Sequence, residues 1–173
     1  MALQTTTPRA DTGSVAAVAP IRVLVADDDP VFVEALRMML ELDERLEVVG
    51  EAHDGEQAVA LAAKLAPDVV AMDVVMPLMD GIEATRVIRS SQPDCRVVLV
   101  SGSIFQDRMG KGIEVAREAG AFAYVLKSRA VLEIAETVYA AALSTGAPEL
   151  IALGRDGLTA ILTEESVRSY RSR

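Results

Sequence analysis

A strand followed by a helix, repeated five times, is the feature that most constrains the fold of this chain. Short runs rich in valine, isoleucine and leucine alternate with longer segments in which apolar residues recur at helical spacing. The runs with strand character are IRVLVA at 21–26, LEVVGEA at 46–52, DVVAMD at 68–73, CRVVLVS at 95–101 and AFAYVLK at 121–127. Because buried strands that alternate with helices form parallel sheets, the pattern predicts an α/β fold with a five-stranded parallel sheet, doubly wound as (βα)5.

Polar side chains gather at the carboxyl ends of four of these strands. They are Asp27 and Asp28 after the first strand, Asp73 at the end of the third, Ser101 at the end of the fourth and Lys127 at the end of the fifth. Right-handed crossovers bring these strand ends to one edge of the sheet, where ligands bind in open α/β sheets. A single carboxylate there is most often a turn or cap residue, but five such groups together indicate a functional site.

Three carboxylates in one site repel one another unless a cation lies between them. Oxygen ligands select Mg²⁺, Ca²⁺ or Mn²⁺, and Mg²⁺ is typically held by one or two carboxylates together with water and phosphate oxygens. A carboxylate can also act as a nucleophile and form an aspartyl phosphate. A lysine and a hydroxyl would then help to neutralise the transferring group, so this set of residues favours phosphoryl chemistry.

Composition argues against several other classes of function. The net charge of −9 opposes nonspecific binding to nucleic acid and to anionic membrane surfaces. One cysteine and one histidine are too few for the usual His/Cys zinc sites. No apolar stretch approaches the roughly 20 residues of a membrane span, and the N-terminus lacks the pattern of a signal peptide. We therefore expect a cytoplasmic protein without a membrane or DNA partner.

Four stretches, VLVADDDP, MDVVMPLMDG, VLVSGS and YVLK, together resemble the receiver domain of bacterial two-component response regulators. The resemblance covers residues 21–145 and implies the flavodoxin-like receiver fold. Residues 1–20 are then expected to form a flexible leader, and residues 146–173 a C-terminal tail with at most one short helix near 163–170. Because this tail is too short for a three-helix DNA-binding module, we expect a stand-alone receiver.

The resemblance implies a role for each acidic residue of the predicted site. Asp73 would accept a phosphoryl group from a sensor histidine kinase or a phosphotransfer protein. Asp27 and Asp28 would hold Mg²⁺, or Mn²⁺, together with Asp73 and the backbone carbonyl of Val75. The chemistry would be limited to gain and loss of this phosphoryl group, so no other enzymatic activity is expected.

The resemblance also implies how the phosphoryl group would be sensed. Lys127 would pair with a phosphoryl oxygen, and Ser101 would be the switch hydroxyl that moves toward it. Tyr124 would be the switch aromatic of the fifth strand. The expected output face consists of the fourth helix, the fifth strand and the fifth helix, through which a homodimer could also form. Sequence alone leaves open whether Tyr124 is instead an ordinary half-buried aromatic residue.

Asp29 has a different expected role from its two acidic neighbours. Pro30 suits the first turn of a helix, and the residue before it is then the N-cap. We therefore expect Asp29 to cap the first helix rather than to bind a metal.

Three departures from the family pattern lead to further expectations. Ser128 follows Lys127 where proline, often with a cis bond, is common; a cis bond before a residue other than proline costs about 3–4 kcal/mol, which favours a trans bond but leaves the isomer open. The segment SIFQDRMGKG is about one helical turn longer than usual and is predicted to be the least ordered part of the domain. Val75 and Ser103 occupy positions that tune the lifetime of the phosphoryl group, and apolar Val75 predicts slow self-dephosphorylation.

Three different functions are also compatible with these residues. Asp27, Asp29, Ser101 and Lys127 imitate the order found in haloacid-dehalogenase-like phosphatases, in which Asp29 would be the general acid. That family also needs a late acidic pair, which is missing after Lys127, and leaves Asp73 unexplained. The second is a receiver-like binding module that works without phosphorylation, and the third is a remnant of a DNA-binding regulator.

Overall fold

The computed structural model describes residues 19–102, 111–144, 151–153 and 159–161, and the structural statements below concern these residues. The five predicted strand–helix units form in the expected order. The strands are β1 Ile21–Ala26, β2 Leu46–Ala52, β3 Val69–Asp73, β4 Arg96–Ser101 and β5 Ala123–Leu126. The helices are α1 Pro30–Glu41, α2 Gly55–Leu65, α3 Gly81–Ser91, α4 Lys111–Glu118 and α5 Lys127–Leu143.

These five strands pair in parallel in the order β2-β1-β3-β4-β5. Helices α1 and α5 cover one face, where Ile134 of α5 belongs to the same buried cluster as Val23 of β1. Helices α2, α3 and α4 cover the other face, where Ile88 of α3 clusters with Leu24 of β1. The side chains of adjacent β1 residues thus pack on opposite faces of the sheet, and helices cover both faces. This confirms the predicted doubly wound parallel sheet.

The strand order reverses between β1 and β3, which are neighbours in the sheet although β2 lies between them in the chain. Ala26, the last residue of β1, pairs with Met72, the penultimate residue of β3. The residues that follow, Asp27 and Asp73, are therefore delivered side by side at the carboxyl edge. This reversal is the position at which open α/β sheets bind ligands.

Lys127 begins α5 instead of ending β5, which corrects the predicted strand 121–127. Leu126 pairs with Ser101, the last residue of β4. Residues beyond Leu126 therefore have no residue of β4 to pair with. Leu126 keeps extended backbone angles and is the N-cap residue of α5, without a side-chain cap bond. The described residues contain no cis peptide bond, so the Lys127–Ser128 bond, whose isomer the sequence left open, is trans.

The sheet continues beyond β5 into the segment that was expected to be a tail. β6, Ile151–Leu153, pairs in parallel with β5, and β7, Thr159–Ile161, pairs antiparallel with β6. An edge strand exposes unpaired backbone groups, and β6 satisfies part of the open edge of β5. The predicted short helix near 163–170, the first 18 residues of the predicted leader 1–20 and the segment 103–110 lie outside the described residues. None of the helices described here is long and apolar enough to cross a membrane.

Candidate functional site

Three carboxylates converge at the point where the strand order reverses. Asp27, Asp28 and Asp73 each offer a carboxylate oxygen, and these oxygens all lie within 4.8 Å of one another. Asp27 and Asp73 are buried, whereas Asp28 is exposed. The cluster is therefore buried where Asp27 and Asp73 lie and open to solvent at Asp28. An ion and a transferred group would need such an opening to enter the site.

Lys127 reaches this cluster from the first turn of α5. Its Nζ lies 2.6 Å from Asp27 Oδ2 and donates a hydrogen bond to Asp73 Oδ2 at 2.9 Å. The same Nζ lies 4.6 Å from the centroid of the Phe32 ring on α1. One ammonium group thus bridges two of the carboxylates and faces an aromatic ring, a contact that no sequence spacing between residues 32 and 127 could reveal.

Burial and charge determine how the two central groups titrate. Burial raises the pKa of the Asp73 carboxyl, the hydrogen bond from Lys127 opposes this, and the charge of Asp27 raises it further. Burial lowers the pKa of the Lys127 ammonium, but its close contacts and charge interactions with Asp27 and Asp73 outweigh this effect and raise the pKa overall. Lys127 is therefore charged at neutral pH, and an added positive charge would favour ionised Asp73.

The two oxygens of Asp27 have different surroundings. Oδ1 accepts a hydrogen bond of 2.9 Å from the backbone N–H of Asp29. Oδ2 is buried, and its contact with Lys127 does not have the geometry of a hydrogen bond. This buried oxygen, whose close partner is the Lys127 ammonium, and the oxygens of two further carboxylates form a donor set suited to a hard divalent cation.

Asp29 has the role predicted for it as a helix cap. Its backbone is extended, and its Oδ1 accepts a hydrogen bond of 2.9 Å from the N–H of Val31. Pro30 occupies the first turn of α1. The carboxylate that a haloacid-dehalogenase-like mechanism would need as a general acid is therefore held by the backbone of the helix.

The loop between β3 and α3 lies directly against the backbone of Asp73. A Cβ added to Gly81 would stand 1.9 Å from the backbone oxygen of Asp73. The N–H of Gly81 donates to the carbonyl of Val74 at 3.0 Å, and Asp80 caps α3. The backbone N–H of Val75 acts to lower the pKa of the Asp73 carboxyl, and Val75 is 69% exposed. A glycine at position 81 is therefore needed for this loop to approach Asp73.

Ser101 and Tyr124, the two predicted switch residues, are both buried. Ser101 ends β4, and the residue before it, Val100, pairs with Asp73 in the adjacent strand. Tyr124 of β5 belongs to the same core cluster as Met72. The structure thus brings Ser101 to the acidic edge and places the Tyr124 side chain in the core on the face that α2, α3 and α4 cover.

His53 is a neighbour of the site that the sequence did not assign to it. His53 directly follows β2, and its Nδ1 lies 3.4 Å from the backbone oxygen of Asp27. The register of β1 against β2, in which Ala26 pairs with Ala52, brings the two residues together.

Comparisons with known proteins agree with this geometry. The family model of the response regulator receiver domain matches residues 23–139. The transcriptional regulatory protein LiaR of Bacillus subtilis is 42% identical over 130 residues, which cover 75% of this chain and 59% of LiaR. A protein-glutamate methylesterase/protein-glutamine glutaminase of Alkalilimnicola ehrlichii is 38% identical over 162 residues, which cover 88% of this chain and 40% of that enzyme.

Solved structures show the same fold. The signal receiver domain of NarL from Mycobacterium tuberculosis is 34% identical, with a TM-score of 0.67 over 72% of this chain and 98% of that domain. The response regulator domain of CheB from Thermotoga maritima is 30% identical, with a TM-score of 0.66 over 73% of this chain and 99% of that domain. Fold and sequence thus define a signalling domain with the flavodoxin-like topology.

The chain belongs to the receiver domain family of two-component response regulators. It spans only 59% of LiaR and 40% of the methylesterase, so the transcriptional regulation and the enzymatic activities in their names belong to those longer proteins.

Proposed function

We propose that Asp73 is the phosphoacceptor of this receiver domain and that the phosphoryl group switches a protein-binding surface. The observation that supports this most strongly is the position of Lys127, whose Nζ donates to Asp73 Oδ2 at 2.9 Å inside a cluster of three carboxylates. A buried structural ion pair would need only one carboxylate. Three carboxylates and one ammonium group leave an excess of negative charge that a cation would balance.

The reaction is a transfer from a phosphohistidine of a sensor kinase or a phosphotransfer protein. An Oδ of Asp73 attacks the phosphorus, so an O–P bond forms while the P–N bond breaks, and the imidazole nitrogen keeps the electron pair of that bond. Lys127 then exchanges its hydrogen bond to the Asp73 carboxylate for one to a phosphoryl oxygen. Because the transferring group carries negative charge, these residues act by positioning and charge neutralisation.

Asp27, Asp28 and Asp73, with the backbone carbonyl of Val75, would hold Mg²⁺ or Mn²⁺. When bound, the ion would neutralise charge on the phosphoryl oxygens and on the carboxylates that surround them. The buried Oδ2 of Asp27 and the oxygen separations within 4.8 Å support this assignment.

Ser101 and Tyr124 are the proposed switch residues. The new phosphoryl oxygens would draw the Ser101 hydroxyl toward Asp73, and the space that Ser101 leaves would change the packing of Tyr124. The output would be a protein–protein contact, including a possible homodimer, through α4, β5 and α5. In this proposal residues 21–145 form the receiver and residues 146–173 form an appendage to it.

Incubation with Mg²⁺ and acetyl phosphate, followed by intact-mass spectrometry, tests this function. We expect one phosphoryl group on the wild-type protein and none on Asp73→Asn. Asp54→Asn is the matched control, because Asp54 is also a buried carboxylate but caps α2 outside the cluster. Equal incorporation into Asp73→Asn and wild type would contradict the assignment, and no incorporation into wild type would favour a binding module that works without phosphate.

A further inference from the structure

The aromatic ring of Phe32 supplies the third partner of the Lys127 ammonium group. Nζ lies 4.6 Å from the ring centroid, within the range of a cation–π interaction. The other two partners are Asp27 Oδ2 at 2.6 Å and Asp73 Oδ2 at 2.9 Å. The ammonium group is thus held between two carboxylates and one aromatic face.

We propose that Phe32 is a positioning residue for phosphoryl transfer, which acts by holding the Lys127 ammonium group at the acceptor site. This inference rests on the proposed role of Asp73 as phosphoacceptor. Phe32 would touch neither the phosphoryl group nor the cation, and its whole effect on the reaction would pass through Lys127.

The position of Phe32 follows from the same short stretch that supplies the acidic cluster. Asp29 caps α1 and Pro30 begins it, which places Phe32 in the first turn, beside the carboxyl end of β1. The Phe32 side chain is half-buried and packs against the apolar cluster between the sheet, α1 and α5. Its ring is therefore fixed by packing on one side and meets Lys127 from α5 on the other.

An aromatic partner is suited to an ammonium group that must change its hydrogen bonds. During transfer Lys127 gives up its bond to the Asp73 carboxylate and takes one to a phosphoryl oxygen. A carboxylate acceptor holds the ammonium group only along defined directions, whereas attraction to the ring face tolerates small displacements. Phe32 can thus keep Nζ close to the acceptor site both before and after the exchange.

The first readout is the NMR chemical shift of the Lys127 ε-methylene protons in the unphosphorylated protein. We expect a ring-current displacement in the wild type that is lost in Phe32→Leu and retained in Phe32→Tyr. Leucine preserves an apolar side chain of similar length, and tyrosine preserves the ring face. An unchanged Lys127 resonance in Phe32→Leu would overturn the proposed contact.

The second readout is the rate of phosphorylation by acetyl phosphate. We expect Phe32→Leu to be slower by about fivefold, which corresponds to about 1 kcal/mol, and Phe32→Tyr to stay within about twofold of wild type. Met39→Ala is the control for lost packing, because Met39 is half-buried against the same cluster about two turns further along α1. An equal loss of rate in Met39→Ala would overturn the proposal.

A double-mutant cycle decides whether Phe32 acts through Lys127. In a Lys127→Gln background, Phe32→Leu should cause no further loss of rate, because glutamine carries no charge for the ring to hold. A fivefold loss in both backgrounds would overturn the proposal, since Phe32 would then act independently of Lys127. Failure of the proposed function itself would look different: wild type would take up no phosphoryl group while the displaced Lys127 resonance remained.

Discussion

Lys127 Nζ donates to Asp73 Oδ2 at 2.9 Å and lies 2.6 Å from Asp27 Oδ2, so that the ammonium group occupies the space between the proposed acceptor and its acidic neighbour. The same carboxylates are the proposed ligands of a divalent cation. Lys127 and the cation therefore compete electrostatically for one set of oxygens, although both would be needed once a phosphoryl group is present.

This competition predicts that removal of the Lys127 charge strengthens cation binding. Lys127→Gln should bind Mg²⁺ about three- to tenfold more tightly than the wild type, because one positive charge close to the carboxylates is lost. The same variant should accept a phosphoryl group more slowly. Isothermal titration with Mg²⁺ and intact-mass kinetics measure the two effects, and weaker Mg²⁺ binding by the variant would contradict the proposed ligand set.

Asp73→Asn should stabilise the unphosphorylated protein at neutral pH. Burial raises the pKa of the Asp73 carboxyl, although the Lys127 hydrogen bond opposes this. The pKa of Asp73 in the folded state thus exceeds its unfolded value of about 3.9. Between these two pKa values the folded protein binds more protons than the unfolded chain, so the contribution of Asp73 to stability falls as the pH rises through this range. Asparagine carries no titrating proton, so we expect a gain of about 1 kcal/mol in the free energy of unfolding.

Urea denaturation near neutral pH and again at about pH 4 checks this effect. The gain should shrink at the lower pH, because the raised pKa of Asp73 favours its protonated form in the folded state there. Asp54→Asn serves as the control, since Asp54 Oδ1 accepts a bond of 2.7 Å from the N–H of Gln57 at the start of α2 and no gain is expected there. A loss of stability in Asp73→Asn at neutral pH would show that the buried charge is not destabilising.

Gly81→Ala should be strongly destabilising. The added Cβ would stand 1.9 Å from the backbone oxygen of Asp73, a distance that forces β3 and the loop apart. We expect a loss of about 2–4 kcal/mol in the free energy of unfolding. Gly102→Ala is the matched control for stability, because a Cβ there meets no atom of the described part of the chain within 4 Å. Similar losses in the two variants would show that the loop can move without cost.

Val75 predicts a long-lived phosphoryl group. Its side chain is 69% exposed beside Asp73 and is apolar, so it offers no group that could orient an attacking water. Val75→Asn should shorten the lifetime by roughly tenfold, whereas Val75→Ile should leave it unchanged. The decay of the phosphorylated mass after removal of the donor measures both, and a wild-type lifetime of seconds would contradict this prediction.

Deletion of residues 146–173 should loosen β5. β6 pairs with Ala123 and Tyr124, so its removal leaves the outer backbone groups of β5 without a partner strand. We expect β5 amides to exchange hydrogen about tenfold faster in the shortened chain. Amides of β1, which has partner strands on both sides, should be unchanged, and equal exchange of β5 in both chains would argue against a stable β6.

Much of the fold could be predicted because local signals agreed with one another. The strands 21–26 and 46–52 were predicted to the residue, and the cap role of Asp29 followed from the proline after it. The end of β5 was missed because the apolar run YVL passes into Lys127 without a glycine, a proline or a capping residue.

Other features depend on tertiary contacts that leave no local pattern. Three-residue strands such as β6 and β7 are too short for a periodic signal, and β6 is positioned by the open edge of β5. The contact between Phe32 and Lys127 joins the first turns of α1 and α5, which lie far apart in sequence. The acidic cluster was predictable since its members follow strands whose ends must meet, whereas the ring that faces Lys127 needed the three-dimensional structure.

The most direct test of the central claim identifies the residue that carries the phosphoryl group. Protein treated with acetyl phosphate and Mg²⁺ is reduced with borohydride, which converts an aspartyl phosphate to homoserine, and is then analysed by peptide mass spectrometry. We predict homoserine at position 73, dependent on Mg²⁺ and absent when the ion is chelated. Homoserine at another aspartate, or at none while phosphate is incorporated elsewhere, would contradict the assignment of Asp73 as the phosphoacceptor.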